Sequence, residues 1–243
     1  MRIGFRSLLI AALAVALLGT EVCAAKAQEL LDVMARLGSP ESGGKGAARK
    51  PADRPPAAIW LFPLDGQPAP PDPVRKYTLL QKNKEFLPHL LVVPVGSVVQ
   101  FPNADPFFHN VFSLFDGRRF DLGLYEAGST REVTFGKEGI SYIFCNIHPE
   151  MSAVVIALST PYFAVAEAHG MFRIHDVAPG NYRMEVWVQG MDADELKGLT
   201  RRVTDSDGHA DHGIVPLTHS PHAPAPHTNK YGKPYDSKDS TVY

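Results

Sequence analysis

Cys145, His148 and Met151 recur at three-residue spacing in the run Tyr142-Ile143-Phe144-Cys145-Asn146-Ile147-His148-Pro149-Glu150-Met151. Thiolate, imidazole and thioether are soft or borderline donors, the set that suits copper cycling between its two oxidation states. A trigonal site of two histidines and one cysteine needs a second imidazole, which must come from elsewhere in the fold. His109, in Phe107-Phe108-His109-Asn110-Val111-Phe112-Ser113, lies 36 residues upstream of the cysteine, between a loop and a strand, and fits that need. Each residue also has a plainer reading. Cys145 taken alone is a buried, inert core cysteine. Met151 is either a ligand or a core side chain beside a three-coordinate site, and Glu150 is either a solvated charge or an oxygen ligand to a non-blue copper.

The elements that must position these residues read as strands. Short apolar runs separated by turn residues extend from Ala57 to about Leu217, among them Ile59–Leu64, Leu90–Pro94, Ser97–Phe101, Asn110–Phe115, Ser141–Cys145, Ala153–Leu158 and Tyr182–Val188. Helical periodicity is not sustained there, and 20 Gly with 21 Pro suit a strand-and-turn protein. The fold class is all-β, in sandwiches or barrels. Lys and Arg number 24 against 26 Asp and Glu, so the formal charge is −2. A chain without a basic field is not expected to bind nucleic acid.

Residues 1–27 read as a secretory signal peptide, with Arg2 and Arg6, an apolar stretch from Ser7 to Leu18, and Ala25-Lys26-Ala27 at the cleavage point. The alternatives are an uncleaved anchor and a lipoprotein acylated at Cys23, where Glu21 and Val22 occupy positions that lipidation reserves for small residues. Export to the periplasm, with no stable membrane span after cleavage, follows from the first reading. Cys145 is then the one cysteine left in an oxidising compartment, and a lone thiol there needs something to occupy it. A metal would do so. Residues 28–56 are expected to be an arm and linker, the arm over Gln28–Leu37 either a loosely docked extension or a short amphipathic helix. The tail 218–243, rich in Pro and His, is expected to be disordered.

The ligand segment resembles the copper loop of cupredoxins of the plastocyanin and amicyanin kind, and its C-x-x-H-x-x-M spacing is nearest amicyanin. The resemblance implies a Greek-key sandwich holding one type 1 copper. It makes His109, Cys145 and His148 the strong equatorial ligands and Met151 the weak axial one. It also implies that the Asn110 backbone N–H donates to the thiolate, while the Asn110 side chain ties the two ligand loops together. Phe101-Pro102-Asn103 ahead of the histidine is typical of the same group.

A wider likeness, over about Ala57 to Gly190, resembles exported proteins labelled methylamine utilization proteins. In these a copper domain is flanked by a carboxypeptidase regulatory-like, or transthyretin-like, sandwich. The second signature is Thr160-Pro161-Tyr162-Phe163-Ala164, Gly170-Met171-Phe172-Arg173-Ile174 and Val177-Ala178-Pro179-Gly180-Asn181-Tyr182. The expected division is a copper domain over 73–158 and the second sandwich over 159–217. Residues 57–72 would supply that sandwich's opening strand, so that the copper domain is an insertion; the rival is 59–64 as the first strand of the copper domain.

The readings are a one-electron carrier that meets a redox partner protein, a copper-binding delivery or structural interaction module, and a sandwich that binds no metal. Phe107, Phe108 and Ile147 are candidates either for the docking patch or for the core. Cys145 lacks the flanking histidines of multi-copper enzymes, and zinc-protease, serine-elbow and phosphate-loop motifs are missing from the sequence, so catalysis is not expected.

Overall fold

The structure, a computed structural model, describes residues 30–38, 54–66, 75–114, 117–206, 210–217 and 227–235. In chain order the strands are β1 (Leu31–Leu37), β2 (Ala57–Pro63), β3 (Lys76–Thr78), β4 (Leu80–Lys82), β5 (Glu85–Leu87) and β6 (Leu90–Pro94). There follow β7 (Val98–Pro102), β8 (His109–Ser113), β9 (Phe120–Tyr125), β10 (Thr130–Thr134), β11 (Gly139–Phe144) and β12 (Ser152–Leu158). The last are β13 (Phe163–Val165), β14 (Met171–Val177), β15 (Gly180–Val188), the short helix α1 (Ala193–Leu199), β16 (Arg201–Asp205) and β17 (Asp211–Val215).

Continuous apolar runs mark strands buried on both faces, and two such runs organise this molecule. In β12, Ala153, Val155 and Ala157 face one core while Val154, Ile156 and Leu158 face another. In β2, Ala57, Ile59 and Leu61 enter a third core, and Ala58 and Trp60 turn back toward the second face of β12. The result is four stacked sheets: β14-β1-β17, then β13-β2-β15-β16, then β6-β12-β11-β8-β9, then β10-β7-β3. The all-β reading holds.

The segment 57–63 pairs antiparallel with β15, from Ala57↔Val188 to Pro63↔Tyr182, and with β13 on its other side. Within β3 to β12, the sheets β6-β12-β11-β8-β9 and β10-β7-β3 enclose the core that contains Cys145, and β4 and β5 form a separate two-stranded sheet. Thus residues 76–158 leave and re-enter a sandwich whose strands come from both sides of them in the chain.

Two expectations need correction. The arm 31–37 is a strand, antiparallel to β14 and parallel to β17, and not a helix. Val33, Ala35 and Leu37 alternate into the core at 1–2% exposure, whereas Leu30, counted in the helical spacing, is 53% exposed. Period two wins because the slot between β14 and β17 gives the segment backbone partners, with β14 from Leu31 onward and with β17 from Met34 onward. The tail is the second correction: its described residues, 227–235, lie against the Cys145 loop. The remainder of 218–243, like residues 1–27, falls outside the described residues.

Candidate metal centre

β8 carries His109 as its first residue, and β11 delivers Cys145 just past its end, where Phe144 pairs with both Phe112 and Ser152. The chain then turns back. Cys145 N–H donates to the Met151 carbonyl at 3.2 Å and Met151 N–H to the His148 carbonyl at 3.1 Å, which closes the loop and points His148 inward. His109, Cys145 and Met151 are fully buried, and His148 is 3% exposed.

Three of the four expected ligands converge. Cys145 Sγ lies 3.7 Å from His109 Nδ1 and 3.6 Å from His148 Nδ1, and the two Nδ1 atoms are 3.1 Å apart. A triangle with those sides has its centre about 2.0 Å from each corner, close to the bond length nitrogen and sulfur ligands take to zinc, about 2.0–2.3 Å. The donor set therefore fits a metal ion without rearrangement. Met151 sits in the same core cluster as Cys145, and its backbone closes the loop. Glu150 is exposed and stands outside the group of clustered donors.

The surroundings decide which atoms are free to bind. Asp105 Oδ2 lies 2.8 Å from His109 Nε2. An ionised carboxylate only accepts, so Nε2 carries the ring proton and Nδ1 keeps its lone pair toward the cysteine. Asp105 is itself held by the N–H groups of Asn83 (2.6 Å) and Lys84 (3.0 Å), two residues with φ of 57° and 58° at the turn of the β4–β5 hairpin. Burial pulls the Asp105 carboxyl upward, but the Lys84 N–H, the His109 ring and the Asn83 N–H together hold it below its ordinary range. Burial pushes His148 down to about 4, and the charges of His109 and Lys84 add to that. Its imidazole is neutral at neutral pH and able to donate a lone pair. Burial pushes the Cys145 thiol up, opposed by N–H groups of Asn110, Ile147 and His148 aimed at the sulfur. A sulfur so placed favours the thiolate when a cation stands beside it.

Asn110 divides its expected role. Its backbone N–H meets the Cys145 sulfur, but its side chain does not tie the ligand loops directly. Asn110 Nδ2 donates instead to Asp121 on β9 at 2.7 Å, because β9 pairs alongside β8 and brings that carboxylate within reach. Phe107 packs its ring on both imidazoles, with centroids 5.2 Å from His109 and 5.6 Å from His148, while Phe108 is 49% exposed.

Sequence reasoning missed Asp105 and Tyr235, and noted Asn103 only as part of a motif without its role. Asn103 shapes the loop before His109: its Oδ1 accepts the Asp105 N–H and its Nδ2 donates to the Phe107 carbonyl. Asp105 lies four residues before the histidine in a loop, and only the structure supplies the contact. Tyr235, distant in sequence, offered no signal at all. Among the other described histidines, His175 pairs with Asp32 and His212 with Asp205, whereas His227 stacks on Phe144 beside Cys145. Trp60 and Trp187 are core residues between the sheets, as expected.

No family model and no curated protein matches the chain. Among solved structures it is similar to a copper-containing nitrite reductase from Thermus scotoductus SA-01, with 25% identity over 40% of this chain and a TM-score of 0.32. The chain spans 25% of that reductase. A purple cupredoxin from Nitrosopumilus maritimus overlaps 34% of this chain and 98% of its own at 25% identity and a TM-score of 0.31. A mutant of amicyanin in its Cu(I) form overlaps 34% of this chain and 82% of its own, with 19% identity and a TM-score of 0.33. These overlaps take in at most two fifths of the chain, and the chemistry of the centre is read from its own residues.

Proposed function

We propose that this chain is an exported mononuclear copper protein that carries single electrons to or from a redox partner. The observation that carries the reading is the buried triangle of His109 Nδ1, Cys145 Sγ and His148 Nδ1. Met151 is the weak axial ligand in this reading, and the copper is of type 1. Copper supplies the one-electron chemistry when bound; the chain supplies a fixed frame for it. His109 is locked in one tautomer by Asp105, the loop from Cys145 to Met151 is closed by its own backbone, and Phe107 packs against both rings. Donors that barely move between oxidation states keep reorganisation small, which favours transfer over catalysis. A partner would approach near the exposed Phe108. Export rests on the signal-like sequence of residues 1–27, and among the described residues no helix is long and apolar enough to cross a membrane.

The test is a potentiometric titration of the copper-loaded full chain beside a chelator challenge of its reduced form. A carrier shows a reversible one-electron transition and retains copper in both states. Rapid loss of copper to the chelator on reduction would overturn the carrier reading in favour of copper delivery.

A further inference from the structure

We infer that the C-terminal segment 227–235 is a positioning strap of the metal centre, with Tyr235 setting the Cys145 loop and Lys230 joining it to the strand beside His109. The β11 ladder stops at Phe144, so the Cys145 carbonyl needs a donor from outside the sheet. Tyr235 Oη donates to it at 2.8 Å. One residue on, Asn146 Oδ1 accepts the Lys230 N–H at 2.9 Å. Lys230 Nζ then reaches Asp121 Oδ2 at 2.7 Å, and the other oxygen of that carboxylate accepts Asn110 Nδ2. A continuous chain of contacts therefore runs from Asn146 through Lys230 and Asp121 to Asn110, the neighbour of His109. It supplies the connection between ligand elements that the Asn110 side chain alone does not make.

The strap is itself braced. His227 stacks on Phe144 with ring centroids 4.1 Å apart, and its Nδ1 lies 3.1 Å from Tyr235 Oη. Phe144 immediately precedes Cys145, so the segment grips the loop on both sides of the sulfur-bearing residue. A loop held by its own two backbone bonds alone opens more often than one clamped from outside. Tyr235 and Lys230 touch neither the sulfur nor the imidazoles; they act through Cys145's carbonyl, Asn146 and Asp121.

The inference rests on the copper reading only for its consequence at the metal, and the experiment separates the two. Amide hydrogen exchange across 145–151 is measured in the copper-free full chain, in a chain ending at Leu217, and in Tyr235→Phe, Lys230→Ala and Lys230→Arg. The loss of outside hydrogen bonds predicts exchange about tenfold faster in the truncated chain and several-fold faster in Tyr235→Phe and Lys230→Ala, with Lys230→Arg near the parent and the β14–β15 amides unchanged. The same variants loaded with copper should shift in reduction potential. Should the truncated chain not fold, Tyr235→Phe decides by itself. Parent-like loop exchange in Tyr235→Phe and Lys230→Ala overturns the strap, even where copper binds. Faster loop exchange in a chain that binds no copper upholds the strap and overturns the copper reading.

Discussion

His109 presents two nitrogens with different tasks, and Asp105 assigns them. With Nε2–H committed to the carboxylate at 2.8 Å, Nδ1 faces the cysteine as a lone pair. Asp105→Asn keeps the shape but removes the charge that makes this ligand a strong donor. Copper affinity should fall about 10- to 100-fold in a chelator competition, and the reduction potential should rise because the oxidised state loses more. Parent-like values for both would mean that Asp105 serves only its hairpin. The histidines also set a pH dependence for the copper-free fold. His148 is held at about 4, below its unfolded value near 6.5, so between these limits the unfolded chain binds a proton that the folded chain refuses. Stability is therefore full above pH 6.5 and falls as the pH drops toward 4, by at most about 1.4 kcal/mol per pH unit for each such group. Urea midpoints between pH 7 and 4.5 check it, and His109, lowered in the same direction, adds to the slope. Asp105 acts separately, because a depressed carboxyl withdraws its contribution only below its own range. The three donors that converge, His109, Cys145 and His148, were legible from residue types and spacing. Asp105 was not, since a carboxylate in a loop carries no sign of the contact it makes until Asn103 and the hairpin turn have folded that loop.

Strands with two apolar faces were easy to read, as were the cleanly alternating β7 and β11, whereas β1, β9 and β17 were not. β12 and β2 announce themselves as unbroken apolar runs because each serves two cores. β1 deceived because Leu30, Leu31, Met34 and Leu37 imitate a helical stripe, while Val33, Ala35 and Leu37 are the residues that enter the core. β9 escaped notice because Gly123, at φ 67°, interrupts its pattern and the β8–β9 register slips between Asn110 and Phe112. β17 is short, and four of its five residues are not buried. The strand assignment of β1 makes a sharp prediction. Ala35→Asp places an unpaired carboxylate between β14 and β17 and should cost about 3 kcal/mol or more, whereas Met34→Thr on the opposite face should cost less than about 1 kcal/mol. Denaturant unfolding measures both. Equal, small effects would return 31–37 to the status of a loose arm.

At the scale of the whole molecule, the two sandwiches share a core. Ala58, Trp60 and Trp187 from one meet Leu90, Val92, Val154, Ile156 and Leu158 from the other, so the sheet that carries His109 is buried on its far side by a neighbour. Re-entry of the chain through β2 and β13 joins them twice, which restrains the sheet that carries both His109 and Cys145. The sequence hinted at this arrangement through the apolar run 59–64, which has no evident place beside the strands around Cys145. It could not show the strap, because contacts between residues 90 apart leave no local pattern. All these layers converge on one claim, that the buried histidine–cysteine–histidine triangle holds copper through its sulfur. The most direct measurement is the visible absorption spectrum of the full chain titrated with copper(II), beside that of Cys145→Ser. The account predicts an intense thiolate-to-copper charge-transfer band that saturates at one copper per chain and is absent from the variant. A parent chain without that band, or a variant with the same band as the parent, would contradict it.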